Sequence, residues 1–103
     1  MIGKVKSGSG LDSSRGWEEL DLGYKAYPGT LNVLLERPLP PLEPEFYHYD
    51  FACTRGKING TECHVCASEY LTRKMRVFIV SPVRLRDFSD LKDGDTVEIT
   101  VKR

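Results

Sequence analysis

The chain has 103 residues, with 15 basic and 15 acidic side chains and therefore no net charge. That length suits one domain over residues 1–103 and is short for two, and the balanced charge leaves no field to draw the protein to DNA, RNA or an anionic membrane. With no apolar run of membrane-spanning length and no leader pattern, the expectation is a cytoplasmic monomer without nucleic-acid or membrane partners.

Met1 to Lys6 alternates apolar and polar residues and predicts a first strand. Ser7 to Gly16 is rich in Gly and Ser and does not hold regular structure for long. Ser13 or Ser14 is placed to cap a short helix through Trp17, Glu18, Glu19 and Leu20. Tyr27-Pro28-Gly29-Thr30 carries a type II turn signal, since Pro fixes φ and Gly accepts φ > 0. The turn feeds a second strand, Leu31 to Leu35, expected to be buried. Arg37 to Pro44 holds four prolines and predicts an extended surface connection.

Phe46 to Thr54 reads as a single strand with one aromatic face, Tyr47, Tyr49 and Phe51. Asn59-Gly60 is a type I′ hairpin signal. Cys63 to Ala67 looks like a strand, which sends Cys63 and Cys66 to opposite faces. That disfavours the zinc site suggested by Cys53, Cys63, Cys66, His48 and His64, because zinc pairs usually sit on tight turns. Reduced, partly buried thiols are expected instead. Met75 to Val80 predicts another strand, stopped by Ser81-Pro82. Val83 to Phe88 has room for one helical turn, and Leu91 to Asp95 for a tight turn. In Thr96 to Lys102, Val97, Ile99 and Val101 face in while Thr96, Glu98, Thr100 and Lys102 face out. Short strands, little helix and closely spaced turns predict a mainly all-β fold, a small closed six-stranded barrel with one or two short helical turns.

Three segments carry chemistry. Thr30 and Asn32 are alternate residues entering a strand, so their side-chain oxygens point the same way. Two neutral oxygens suit a hard cation such as Mg²⁺, which keeps several waters and takes phosphate oxygens for the rest of its shell; the plainer alternative is that both satisfy turn amides. Gly8-Ser9-Gly10 follows the first strand, where backbone N–H groups can form an anion nest, or simply a loop. Arg84 and Arg86 in Pro82-Val83-Arg84-Leu85-Arg86 suit bidentate phosphate or base contacts, or stand solvated beside Asp87, Asp90 and Asp93.

Together, the Gly-Ser-Gly loop, Pro28-Gly29-Thr30-Leu31-Asn32 and Pro82-Val83-Arg84-Leu85-Arg86 followed by Leu91-Lys92-Asp93-Gly94-Asp95-Thr96-Val97-Glu98-Ile99 form an ordered set. That set resembles the archaeal CTP-dependent riboflavin kinase family. The resemblance covers both ends and the first third, and is poor between about Leu35 and Lys57. It implies a cradle-loop barrel that uses Mg²⁺ and CTP to phosphorylate riboflavin, giving FMN and CDP. By motif, Gly8, Ser9, Gly10 and Leu11 match part of the nucleotide loop, with Arg15 a looser match. Thr30 and Asn32 match the Mg²⁺ ligands, and Val83, Arg84, Leu85 and Arg86 the second nucleotide segment.

The chain also departs from the family. Gly10 is followed by Leu11-Asp12-Ser13-Ser14-Arg15-Gly16 rather than Gly-Glu-Gly-Arg. The family's flavin-contacting Thr falls near Glu69-Tyr70, which makes Glu69 the acceptor-side candidate, and its flavin-contacting Glu falls near Phe78. Trp17, Tyr24 and Tyr27 offer either a stacking surface or core. No base is assigned among Asp12, Glu18, Asp21 and Glu69. The rival readings are a CTP-dependent kinase for another small alcohol, an inactive nucleotide-binding barrel, and a DNA-binding protein like the AbrB-type swapped-hairpin factors. The last shares only the C-terminal pattern and expects a basic face that a neutral chain lacks.

Overall fold

A computed structural model describes residues 1–6, 23–24, 31–39, 43–82 and 91–101. Its elements are β1 (Ile2–Lys6), β2 (Leu31–Leu35), β3 (Phe46–His48), β4 (Phe51–Ile58), β5 (Thr61–Ala67), α1 (Glu69–Arg73), β6 (Arg76–Val80) and β7 (Thr96–Val101). The sheet order is β3-β4-β5-β6-β2-β1-β7, and a further β4–β7 pairing closes six of the strands into a barrel. Every pairing is antiparallel. Closure removes the edges of those six strands, and β3 lies outside the ring against β4.

Alternation fills the barrel. Val5, Val33, Val65, Val77, Val97 and Ile99 sit in one apolar cluster and are essentially inaccessible. Each such side chain contributes roughly 1.5–3 kcal/mol on burial. β7 keeps the polar-out pattern that the sequence predicts, with Thr96, Glu98 and Thr100 exposed, whereas in β1 the exposed face holds Ile2 as well as Lys4 and Lys6. A second apolar cluster covers part of the barrel's outer wall: Phe51, Cys53, Cys66, Leu71, Phe78 and Val80, with Tyr24 and Phe46 packed against it. β5 is therefore buried on both faces, Cys63 in the inner cluster and Cys66 in the outer one. The two thiols do point to opposite faces, and all three cysteines are buried and free.

Two glycines let backbones cross. A Cβ on Gly3 would lie 2.5 Å from Val33 Cγ1 and 2.8 Å from the Leu34 carbonyl oxygen. One on Gly56 would overlap the Thr100 carbonyl oxygen, at the seam where β4 meets β7. The Asn59-Gly60 hairpin has both residues at positive φ, 48° and 83°, as a type I′ turn demands. Asn59 also secures the seam, its Oδ1 accepting from the Glu98 N–H at 2.8 Å. The turn over Leu91–Asp95 is formed as expected, with Gly94 at φ 87° and the Lys92 N–H donating to Asp95 Oδ2 at 2.9 Å.

One expectation needs correction. Phe46–Thr54 is a hairpin rather than one strand: β3 and β4 meet through Tyr49-Asp50, with Tyr49 at φ 54°. The segment 68–73, for which the sequence predicted no element, is capped as helix α1, the Ser68 hydroxyl accepting from the Leu71 N–H at 3.2 Å. The proline-rich connection runs without regular structure over its described part, but Leu39 packs against the inner core. The expected helices at 13–20 and 83–88 and the turn at 27–30 lie outside the described residues. Among the described residues no helix is long and apolar enough to cross a membrane.

Candidate functional site

Strand order gives the three chemistry-bearing segments a common origin. Lys6, Asn32 and Phe78 stand opposite one another on β1, β2 and β6. β1 ends at Lys6, just before the Gly8–Gly10 loop. β2 begins at Leu31, just after Thr30. β6 ends at Val80, just before Ser81-Pro82-Val83. Because the strands alternate in direction, these three termini adjoin at one end of the barrel. The start of β7 joins them, since the Val5 N–H donates to the Asp95 carbonyl at 2.9 Å and the Gly94 N–H to the Val5 carbonyl at 2.8 Å.

Asn32 lies on the outer face of β2, between Phe78 and Lys6, and is 7% exposed. Its alternation partners Leu31 and Val33 fill the barrel. A primary amide therefore stands at a buried wall position opposite an aromatic residue, where burial is costly unless its polar atoms are paired. Thr30 lies outside the described residues, as do Gly8, Ser9, Gly10, Leu11, Arg15, Val83, Arg84, Leu85 and Arg86. Glu69 opens α1 and is exposed, and its Oε1 accepts from Arg73 Nη2 at 2.7 Å. α1 leads into the start of β6, so Glu69 stands at the other end of that strand from Val80. Phe78 is packed against Phe51, ring centroids 5.5 Å apart.

Beside this row lies a polar cluster built on His64, weighed above only as a disfavoured zinc ligand, and Tyr24, weighed as stacking surface or core. His64 on β5 is fully buried, opposite Val80 on β6 and Arg55 on β4. The rings of Tyr24 and Phe46 pack on it, at centroid distances of 5.5 and 5.7 Å. The Tyr24 hydroxyl donates to the Val80 carbonyl oxygen at 3.1 Å and lies 2.7 Å from His64 Nδ1. A hydroxyl has one proton, so it serves one of the two contacts: on Val80 it leaves Nδ1–H to donate to the Tyr24 oxygen, and on Nδ1 it leaves Nε2–H facing Glu45. Among the described residues, the buried Nε2 has no hydrogen-bond partner. Glu45 Oε1 is 3.6 Å from it and is shared with Arg55, which also bonds Glu62 at 3.1 Å. Alternation alone would have placed His64 on the Cys66 face; its partner, forty residues earlier in the chain, left no local signal.

Burial lowers the His64 pKa, against the pull of Glu45, so the ring is neutral at physiological pH. The unfolded chain takes up its proton near pH 6.5 while the folded ring resists it. Stability from this residue is therefore complete above that pH and falls as acid is added, down to the lower folded pKa. The slope reaches at most about 1.4 kcal/mol per pH unit. Urea unfolding from about pH 8 to about pH 5 should show this loss, and His64→Gln should flatten it. Burial also pushes the Cys63 thiol up to about 12, with Glu62 adding to the effect. Cys66 is raised by its hydrogen bond with Cys53 and by burial. Neither thiol is a nucleophile at neutral pH.

Two clefts lie elsewhere among the described residues. One of about 430 Å³ is lined by Met1, Ile2, Glu36, Arg37 and Pro38. The other, about 340 Å³, lies against the β4–β7 seam between Arg55, Lys57 and Thr100. Neither is lined by Asn32.

No protein-family model matches the chain. Individual proteins do. A riboflavin kinase of Methanocella arvoryzae is 31% identical over 99% of this chain and 56% of its own length. A riboflavin kinase of Pyrobaculum aerophilum is 33% identical over 98% of this chain and 60% of its own length. A third, from Pyrococcus abyssi, is 33% identical over 78% of the chain and 45% of its own length. The chain thus spans a little over half the length of the first two relatives. The Methanocella alignment runs over 121 positions, more than the 103 residues present here, so that relative carries extra residues within the matched region.

Proposed function

We propose that this chain, which belongs to the archaeal riboflavin kinase family, transfers the γ-phosphate of CTP to a hydroxyl of riboflavin, giving FMN and CDP. The observation that carries the reading is the shared barrel end: the ends of β1, β2 and β6 lie side by side, and in sequence they border the glycine loop, Thr30 and the segment leading to Val83–Arg86. Phosphoryl transfer asks mainly for positioning and for charge placed on the phosphoryl oxygens, which segments gathered at one place can supply.

In this reading the amides of Gly8, Ser9 and Gly10 cradle phosphates, with Leu11 and Arg15 beside them, and Val83, Arg84, Leu85 and Arg86 hold the rest of the nucleotide. The buried amide of Asn32 is a neutral, hard donor, which fits a cation that draws its remaining ligands from water and phosphate. Asn32 and Thr30 would hold Mg²⁺, which when bound offsets charge on the phosphate oxygens. On the acceptor side the resemblance offers Glu69. A second acceptor, another small alcohol, is favoured by one observation: Phe78 stands packed on Phe51 where the family's flavin-contacting carboxylate falls.

A thermal-shift panel of CTP, ATP, GTP and UTP with Mg²⁺ tests the reading. CTP at 100 times its Kd should add about 2.7 kcal/mol, a rise of roughly 10–20 °C for a chain of this size; the other nucleotides should add little. Incubation with CTP and riboflavin should then produce FMN. Equal responses to all four nucleotides, or to none, would overturn the proposal. CTP stabilisation without FMN would move it to the other alcohol.

A further inference from the structure

We propose that Tyr24 is a positioning residue. Its hydroxyl, clamped between the His64 ring nitrogen on β5 and the Val80 carbonyl oxygen on β6, fixes the end of β6 and, through the β2–β6 pairing, sets where Asn32 meets a bound nucleotide's phosphates. The inference rests on the kinase reading for the ligand, and on geometry alone for the clamp.

The clamp closes on the last residue of β6, at the level where Leu31 and Ile79 form the last described pair of the β2–β6 ladder. The Tyr24 ring packs into the outer cluster that includes Phe78, and Phe78 is the cross-strand neighbour of Asn32. Tyr24 also precedes Leu31 by only seven residues. One side chain therefore ties β5 to the last residue of β6, the strand that faces Asn32 across the β2–β6 ladder. Burial keeps the phenol protonated, so the donor persists at any physiological pH.

His64 acts through Tyr24 and not on substrate, because it has no exposed surface. Packing alone does not explain it. A leucine would fill a similar space without leaving a buried nitrogen unpartnered, as Nε2 is here. What a leucine lacks is the ring nitrogen Nδ1 that holds the phenolic hydroxyl.

Tyr24→Phe removes the hydroxyl and keeps the ring, and His64→Leu removes the other half of the clamp. Amide hydrogen exchange should quicken at Leu31, Asn32, Ile79 and Val80 in both variants, with β4, β7 and the Asn59-Gly60 hairpin unchanged. Mg²⁺–CTP affinity should weaken about tenfold, roughly 1.4 kcal/mol. His64→Asn, which returns a donor near the Nδ1 position, should recover most of both. Unchanged exchange at those four amides, or faster exchange spread evenly over all strands, would overturn the clamp. Selective exchange with unchanged Mg²⁺–CTP affinity would overturn its service to the ligand. If the wild type bound no Mg²⁺–CTP, the kinase reading would fall with that service, while the exchange result would still decide the clamp.

Discussion

Asn32→Ala is expected to reduce Mg²⁺-dependent turnover by at least about 100-fold, the range seen when one preorganised group facing the transferring charge is removed. The variant should still fold, because Leu31, Val33 and Leu35 carry β2's share of the core and Asn32 faces away from it. Asn32→Asp keeps an oxygen at the same place and adds charge. It should retain divalent-metal binding, read with Mn²⁺ by paramagnetic resonance, while losing CTP affinity, because a carboxylate beside the triphosphate repels it. Thr30→Ala combined with Asn32→Ala should leave no metal-dependent rate. If that double variant kept full Mg²⁺-dependent activity, the metal assignment would be lost.

The largest expected effect on stability lies far from this site. Gly56→Ala puts a methyl group against the Thr100 carbonyl, a backbone atom that no rotamer change can move. Either β4 or β7 must retreat, which strains the Gly56–Val101, Lys57–Thr100 and Ile58–Ile99 pairs that close the barrel. The cost should be about 3 kcal/mol, a fall in melting temperature of roughly 12–24 °C. Gly60→Ala is the matched control. Gly60 has φ 83° but open space around it, so only the backbone penalty of about 1 kcal/mol applies. Equal melting temperatures for the two variants would show that the β4–β7 crossing is not tight.

The readable elements share a physical feature: a local pattern that tertiary contacts do not override. β1 and β7 each have one wet face, so period-2 alternation survives in their sequences. Asn59-Gly60 is legible because a type I′ turn requires positive φ at both residues. Tyr49 takes positive φ without being Gly or Asn, so the β3–β4 turn gave no such signal and two strands read as one. α1 has five residues, too few for helical periodicity to emerge. β5 is buried on both faces and shows little alternation, so only its part from Cys63 to Ala67 read as a strand.

Local residue patterns carry the chemistry on offer: glycine amides, two neutral oxygens with one residue between them, paired arginines, and a barrel's worth of short strands. Tertiary structure alone makes β6, β2 and β1 neighbours, so that the strand ends bordering three scattered segments lie side by side. It also decided that Tyr24 meets His64, forty residues away. Strand order and such contacts are set by which pairings close the barrel and bury both apolar clusters at once, a property of the whole chain that no local window of residues contains.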